Sequence, residues 1–201
     1  MTDMNDQLGA VVAGHRPRGA VETRDLHRVL AMLATGVDPW HRATPLHVTV
    51  SALIVHPPTG RVLLRWHARQ RAWLQVGGHA DPDEVEPLAV AMREAAEETG
   101  LGDLVPWPDA RVVHLAIVPV AAGPDEPAHE HADIRYVLAT GYPDRARPEK
   151  PGAELRWLSV PEARALTTED NLRESLDRVA GLLRPGSVTQ DHACPEPRTV
   201  S

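Results

Sequence analysis

Cysteine, lysine, phenylalanine and long apolar segments are scarce or absent in this sequence of 201 residues. The only cysteine, Cys194, has no second thiol for an internal disulfide bond, which agrees with a reducing compartment. No apolar segment approaches the roughly 20 residues that cross a membrane, and the first residues hold no apolar run of signal-peptide length. We therefore expect a cytoplasmic protein without membrane contacts.

Basic residues are also in the minority, with 21 Arg and Lys against 28 Asp and Glu, so the formal net charge is −7. A general nucleic-acid surface needs a basic patch that neutralises phosphates. We therefore expect no nucleic-acid partner. The length of the chain suits one domain with a substantial core and an additional helical piece.

The segment from Gly77 to Leu101 begins as a glycine loop and continues as a predicted helix. Pro87 suits the first helical position, where its missing N–H has no intrahelical acceptor to lose. Gly100 suits the residue just beyond the end, where a left-handed backbone is needed. The sequence therefore predicts a helix between these two residues, and a short strand over Trp73–Val76 leads into the glycine loop.

The predicted helix carries a group of carboxylates on one side. With 100° of rotation per residue, Glu94, Glu97 and Glu98 fall within an arc of about 100°. The opposite side carries an apolar stripe made of Leu88, Met92, Ala95 and Thr99. A solvated acidic face would explain this pattern, because like charges at this spacing repel by only about 0.2–0.5 kcal/mol per pair. A hard divalent cation such as Mg²⁺ would bind the same face, because it prefers carboxylate oxygens.

These residues resemble a known family motif. Arg93–Leu101, which reads Arg-Glu-Ala-Ala-Glu-Glu-Thr-Gly-Leu, matches every fixed position in the second half of the Nudix box. Gly78 and Glu84 match the first half. Eight residues separate Glu84 from Arg93, where the family usually has seven. This departure lies upstream of the three carboxylates and therefore concerns Glu84 more than them.

The resemblance to the Nudix family implies a metal centre and a reaction. Its ligands would be the carboxylates of Glu94, Glu97 and Glu98 and the backbone carbonyl of Gly77, and its metal would be Mg²⁺ or Mn²⁺. The implied reaction is hydrolysis of a nucleoside diphosphate linked to another group. Divalent metals suit this reaction because they neutralise the charge of the pyrophosphate and lower the pKa of the attacking water.

Glu94 and Arg93 are the residues of the box that we expect to serve catalysis, in different roles. Glu94 is the preferred general base, while the resemblance gives Arg93 a structural role. Arg93 stands four residues before Glu97, so a helix-internal ion pair would hold that carboxylate in place. Glu126 and Glu130 lie on a predicted loop and are alternative bases, since the family also uses a carboxylate on a distal loop.

Further residues are candidates for contacts with the substrate. They are Arg65, Gly78, His79, His131, Asp133 and Arg135. His79 follows the glycine pair directly, and the last three alternate on one face of a predicted strand. His129 and His131 also raise the possibility of zinc, although two histidines two residues apart are a weak signal without further ligands.

The ends of the chain are expected to differ from its middle. Residues 1–21 show no periodicity and are expected to be a flexible tail, and residues 185–201 a disordered tail. Glu22–Thr35 is predicted to be an amphipathic helix. This helix could pack on the domain, line the substrate site or make the contact of a homodimer. Residues 22–184 are expected to form a single Nudix domain with the box at 77–101.

The remaining pattern predicts an α/β fold. Runs rich in β-branched and apolar residues predict strands at Leu46–His56, Arg61–Trp66, Trp73–Val76, Arg111–Val120, His131–Thr140 and Glu154–Val160. A short helix is expected to begin at Pro161, and a second, longer helix is expected to begin after Thr168. The Nudix resemblance implies an α/β/α sandwich with a mixed sheet, to which the N-terminal helix is added.

The expected partner is a small molecule of nucleotide type. The main alternative is a Nudix domain that binds a nucleotide as a sensor without catalysis. Another reaction of the same fold, isopentenyl diphosphate isomerisation, needs a catalytic cysteine in the core. Since Cys194 lies in the C-terminal tail, that reaction is not expected.

Overall fold

The computed structural model describes residues 4–123 and 126–184. Their contacts group them into two compact units, each assembled from three segments of the chain. The first unit consists of the residues up to Ser51, Gly77–Ala91 and Arg111–Tyr136. The second unit consists of Ala52–Val76, Met92–Ala110 and the residues from Val137 onward. Among the described residues, no helix combines the length and the hydropathy needed to cross a membrane. The tail predicted at 185–201 lies outside the described residues.

The first unit combines two whole helices with several strand segments. Its helices are α1 (Met4–Gly14) and α2 (Gly19–Ala34), and α3 (Pro87–Thr99) begins in it. Its strands are β6 (His114–Val120), the end of β4 (Val76–Gly78) and the first parts of β1 (Leu46–His56) and β7 (His129–Ala139). Strands β6 and β7 pair antiparallel, with His114 opposite Arg135 and Val120 opposite His129.

An apolar core within the first unit explains both N-terminal helices. Leu8 and Val12 of α1, one turn apart, are buried in the same cluster as Leu26 and Val29 of α2. The helix predicted at 22–35 is therefore confirmed, and it begins three residues earlier. We predicted a flexible tail at residues 1–21, but the helix α1 occupies much of this segment. The two buried side chains of α1 provide too short a pattern to stand out in the sequence.

The second unit contains the ends of β1 and β7 and most of the remaining strands. These are β2 (Arg61–His67), β3 (Ala72–Leu74), β5 (Val105–Pro106) and β8 (Leu155–Ser159). The strand order is β3-β2-β1-β7-β5, and β8 also pairs with β2. Strands β1 and β2 form the predicted hairpin, with Ile54 opposite Leu63. The unit ends with α4 (Val160–Leu166) and α5 (Asp170–Leu182), the two helices expected there.

Strands β1 and β7 run parallel, so the sheet is mixed. Glu130 N donates to Pro45 O at 2.8 Å, where both strands begin. Thr140 N donates to Val55 O at 3.1 Å, where both strands end. Together with the antiparallel pairs, this arrangement confirms the predicted α/β class with a mixed sheet and flanking helices.

A buried carboxylate on α2 binds the backbone of β6 within the first unit. Glu22, with 1% of its surface exposed, accepts hydrogen bonds from Leu115 N at 3.0 Å and from Arg18 N. Its Oε1 also lies 2.8 Å from His15 Nε2. On the next turn of α2, Asp25 accepts from Ile117 N at 3.1 Å. The two carboxylates therefore satisfy strand N–H groups of β6 that face α2.

We expect Glu22→Ala to lower the free energy of unfolding by roughly 3 kcal/mol, since each buried donor left unsatisfied costs about 1–3 kcal/mol. Urea denaturation followed by circular dichroism measures the effect. His27→Ala, at an exposed position of the same helix, is the matched control and should change stability by less than about 0.5 kcal/mol. Equal stability of the Glu22 and His27 variants would contradict the role given to the buried carboxylate.

Candidate active site

Helix α3 has the predicted limits, and its end has a clear physical cause. Gly100 has φ 66° and donates its N–H to Ala96 O at 2.8 Å, so its left-handed backbone ends the helix. Pro87 opens the helix, as expected. The three carboxylates of the box therefore occupy the last two turns of a regular helix, within the second unit.

The carboxylate face is less exposed than the helical wheel suggested. Glu97 keeps 54% of its side-chain surface exposed, but Glu94 keeps 15% and Glu98 keeps 11%. A purely solvated acidic face would leave all three side chains in water. Burial of a carboxylate is costly unless it is paired, so the neighbours of Glu94 and Glu98 decide what this face does.

Two guanidinium groups hold the three carboxylates. Arg93 Nη1 lies 3.0 Å from Glu94 Oε1 and 3.0 Å from Glu97 Oε2, which includes the predicted pair at a spacing of four residues. Arg65 Nη1, on β2, lies 3.1 Å from Glu98 Oε1, and both side chains are largely buried. Each of the three carboxylates thus lies beside a guanidinium group. Arg65 was expected to contact the substrate, and the structure brings it to a box carboxylate.

Arg65 also carries an incompletely satisfied donor. Its Nε is buried and has no hydrogen-bond partner among the described residues. Buried donors are normally satisfied by protein, water or ligand. This donor belongs to the same guanidinium group that pairs with Glu98, so it lies next to a box carboxylate.

The glycine loop belongs to the first unit, where its backbone fits closely against β1. Gly77 has φ 147°, and a Cβ at this position would lie 2.4 Å from Val50 O and 2.5 Å from Ser51 Cα. Only glycine fits here. Gly78 ends β4 directly after it. In the following turn, Glu84 accepts from Asp81 N at 2.7 Å and donates its own N–H to Asp81 O at 3.1 Å, so Glu84 closes the loop that leads to α3.

Four histidines of the first unit form a cluster in which the rings of His47 and His131 each contact the other three. His47 Nε2 lies 3.0 Å from His79 Nε2, and His129 Nε2 lies 3.1 Å from His131 Nε2. Burial lowers the pKa of His79 to about 3 and that of His131 to about 4. Burial also lowers the pKa of His47. The four residues are called the histidine cluster below. The sequence showed three of its members, and it gave no signal for His47, which lies on β1 and reaches the others only through the fold.

Asp133 and Arg135 lie in the core of the first unit. Arg135, with 1% of its surface exposed, places its Nε 2.7 Å from Asp133 Oδ2. Ser51 and Thr49 of β1 donate hydroxyl groups to the same carboxylate at 3.0 and 3.3 Å. The expected strand face exists, but both faces of β7 are buried along most of its length. This position favours a structural role for Asp133 and Arg135 over the contact with substrate that we predicted.

The two alternative bases also belong to the first unit. Glu130 accepts two hydrogen bonds from the guanidinium of Arg28, at 3.1 and 2.5 Å, and this guanidinium lowers the pKa of Glu130. Glu126 Oε1 lies 3.7 Å from His129 Nε2. Each of these carboxylates therefore has a basic neighbour, as Glu94 has in Arg93, and the choice of Glu94 as the base stays a prediction from the sequence.

Comparisons with known proteins found a matching family profile and several similar solved structures. The NUDIX domain family profile matches residues 45–179. Among solved structures, the chain is similar to a binary complex of C. elegans Ap4A hydrolase, with 17% identity and a TM-score of 0.55 over 68% of this chain and 96% of that chain. It is also similar to the E. coli dihydroneopterin triphosphate pyrophosphohydrolase, with 19% identity and a TM-score of 0.51 over 65% of this chain and 92% of that chain.

A third similar structure is the MutT protein from Methanosarcina mazei Go1, with 22% identity and a TM-score of 0.52 over 68% of this chain and 94% of that chain. At such identities these likenesses show a shared fold. No curated protein sequence matched the chain. The family profile covers more than half of the chain and includes the whole box. The chain therefore belongs to the Nudix hydrolase family.

Proposed function

We propose that the chain hydrolyses a phosphoanhydride bond in a nucleoside diphosphate linked to another group, with Mg²⁺ or Mn²⁺ bound by the carboxylates of α3. The observation that carries this proposal is the arrangement of Glu94, Glu97 and Glu98 on one helical face, fixed by two guanidinium groups. Two structures of the same fold are named for related activities, an Ap4A hydrolase and a pyrophosphohydrolase of dihydroneopterin triphosphate.

The donor set of α3 fits a hard divalent cation. Its donors are carboxylate oxygens, which Mg²⁺ and Mn²⁺ prefer. A carboxylate offers about four lone-pair sites on two oxygens, so a carboxylate that is paired with a guanidinium can also bind a cation. Glu94, Glu97 and Glu98 would hold the metal, with the carbonyl of Gly77 as the further ligand that the family resemblance implies. The bound metal supplies charge neutralisation and a more acidic water.

The residues around the carboxylates have distinct tasks in this proposal. Arg93 fixes the rotamers of Glu94 and Glu97, so that their oxygens need little reorganisation when a cation binds. Arg65 does the same for Glu98, and its buried Nε can donate to a phosphate oxygen. Glu94 accepts the proton of the attacking water as general base. Gly78 and His79 follow Gly77 and are kept as candidates for contact with the phosphates. The cytoplasmic location and the homodimer stay predictions from the sequence.

A panel of nucleotides tests the proposal. We expect phosphate release from one class among ADP-ribose, nucleotide sugars, NADH, diadenosine polyphosphates and canonical or oxidised NTPs, with a phosphatase as coupling enzyme where needed. Turnover should require Mg²⁺ or Mn²⁺ and stop in EDTA, because the metal contributes several kcal/mol to the transition state. Nucleotide binding without turnover across the panel would contradict hydrolysis and favour the sensor alternative.

A further inference from the structure

The histidine cluster brings together side chains from three separate parts of the first unit. His47 comes from β1, His79 follows β4, and His129 and His131 come from the start of β7. The ring centroids of neighbouring pairs lie 4.9 to 5.2 Å apart. One nitrogen each of His47, His79 and His131 lies within 4.8 Å of the other two. Three imidazole nitrogens therefore converge on a common point.

Backbone carbonyls orient two of the rings. His47 Nδ1 lies 2.7 Å from Thr44 O, and His129 Nδ1 lies 2.9 Å from Pro127 O. A carbonyl oxygen only accepts, so Nδ1 carries the proton in both rings and the neutral ring has its lone pair on Nε2. In each case that Nε2 points at the Nε2 of another histidine. A carbonyl that fixes the tautomer and leaves Nε2 for a cation is the usual support of a metal-binding histidine.

The distances suit a small tetrahedral ion. Zinc binds imidazole nitrogen at about 2.0–2.1 Å, so two nitrogens on one tetrahedral ion lie roughly 3.3 Å apart. The Nε2 atoms of His47 and His79 lie 3.0 Å apart, slightly closer than this spacing, and a nitrogen of His131 lies within 4.8 Å of both, so small side-chain shifts bring the three nitrogens to the spacing of one ion. The alternative is a pair of N–H···N hydrogen bonds between neutral rings, which would hold the cluster together without an ion.

We propose that His47, His79 and His131 bind a transition-metal ion of the Zn²⁺ class. A donor set made of neutral nitrogens selects Zn²⁺, Co²⁺, Ni²⁺ or Cu²⁺ over Mg²⁺. The chain then has two kinds of metal site, one with oxygen donors on α3 and one with nitrogen donors in the histidine cluster. His129 contacts His131 and positions it, and a water molecule takes the remaining coordination position.

Metal binding to the tag-free chain tests this proposal without any nucleotide. The protein is stripped with a chelator and titrated with Co²⁺, whose visible absorption reports tetrahedral coordination, and with Zn²⁺ in competition with a chromophoric chelator. In the presence of excess Mg²⁺, which occupies the oxygen donors of α3, we expect about one Zn²⁺ or Co²⁺ ion per chain. His79→Gln and His131→Gln should each weaken Zn²⁺ binding by roughly 100-fold or more, and His129→Gln by about 10-fold to 100-fold.

Controls separate this site from the proposed active site and from unfolding. His27→Gln, at an exposed position of α2, should bind Zn²⁺ like the unaltered chain, and so should Glu97→Gln. Zn²⁺ should raise the melting temperature of the unaltered chain and leave that of His131→Gln unchanged, provided both are folded without metal. Absence of stoichiometric Zn²⁺ and Co²⁺ binding, or binding that survives both His79→Gln and His131→Gln, would overturn the proposal whether or not the protein hydrolyses nucleotides.

Discussion

Glu97→Gln is expected to lower the rate of metal-dependent hydrolysis by roughly 10²–10³-fold while the fold persists. The amide keeps the shape of the side chain but removes the charge that a hard cation needs. Loss of about 3–4 kcal/mol of transition-state stabilisation corresponds to this rate change. Glu97 is more than half exposed, so its substitution should change the free energy of unfolding by less than about 0.5 kcal/mol.

The measurement is kcat/KM for the substrate found in the panel, together with Mn²⁺ affinity by titration calorimetry. Glu174→Gln is the matched control, because it removes one exposed carboxylate from α5 in the same unit. Its activity and Mn²⁺ affinity should equal those of the unaltered chain. Glu98→Gln should also lose activity, but with a measurable loss of stability, because it weakens the buried contact with Arg65. Full activity in both Glu97→Gln and Glu98→Gln would refute the assignment of the metal ligands.

Several elements could be located from the sequence because local chemistry alone decides them. Strand β1 covers Leu46–His56, as predicted, since a run of β-branched residues stops at the turn formed by Pro57 and Pro58. Helix α3 lies between Pro87 and Gly100 for reasons of backbone conformation that hold in any fold. In both cases a residue with restricted or unusual backbone freedom marks the boundary.

Other elements depend on contacts that the sequence does not display. Helix α1 contains Gly9 and Gly14, which disfavour a helix, and it forms where Leu8 and Val12 can be buried. Strand β5 has only two residues, and its pairing with β7 defines it. Such elements have little intrinsic preference, so tertiary packing decides their structure.

The same distinction separates the predicted from the unexpected parts of the candidate site. The carboxylates of the box share one helix, so their spacing places them together in any helical structure. The contact between Arg65 and Glu98 joins β2 to α3 and depends on the fold. The alternation of Asp133 with Arg135 was correctly placed on a strand, but alternation does not reveal whether the second face of that strand is also covered.

Gly77→Ala is expected to lower the free energy of unfolding by roughly 3–5 kcal/mol. The added Cβ would lie 2.4 Å from Val50 O and 2.5 Å from Ser51 Cα, and both are backbone atoms of β1 that cannot rotate away. The backbone at φ 147° adds a strain of about 1–3 kcal/mol for any residue with a Cβ. Relief of the overlap requires β4 to move away from β1, which costs about 1–3 kcal/mol more by disturbing a packed core.

Gly9→Ala is the control for this substitution within the same unit, and it should change stability in the opposite direction. A Cβ at Gly9 would have no heavy atom within 4 Å, and the residue lies inside α1, where alanine is favoured over glycine by about 0.5–1 kcal/mol. Urea denaturation of both variants gives the comparison. If Gly77→Ala retained the stability of the unaltered chain, the close approach of the glycine loop to β1 would be wrong. A large loss in Gly77→Ala together with a gain in Gly9→Ala would show that the position of the glycine, rather than its removal, determines the effect.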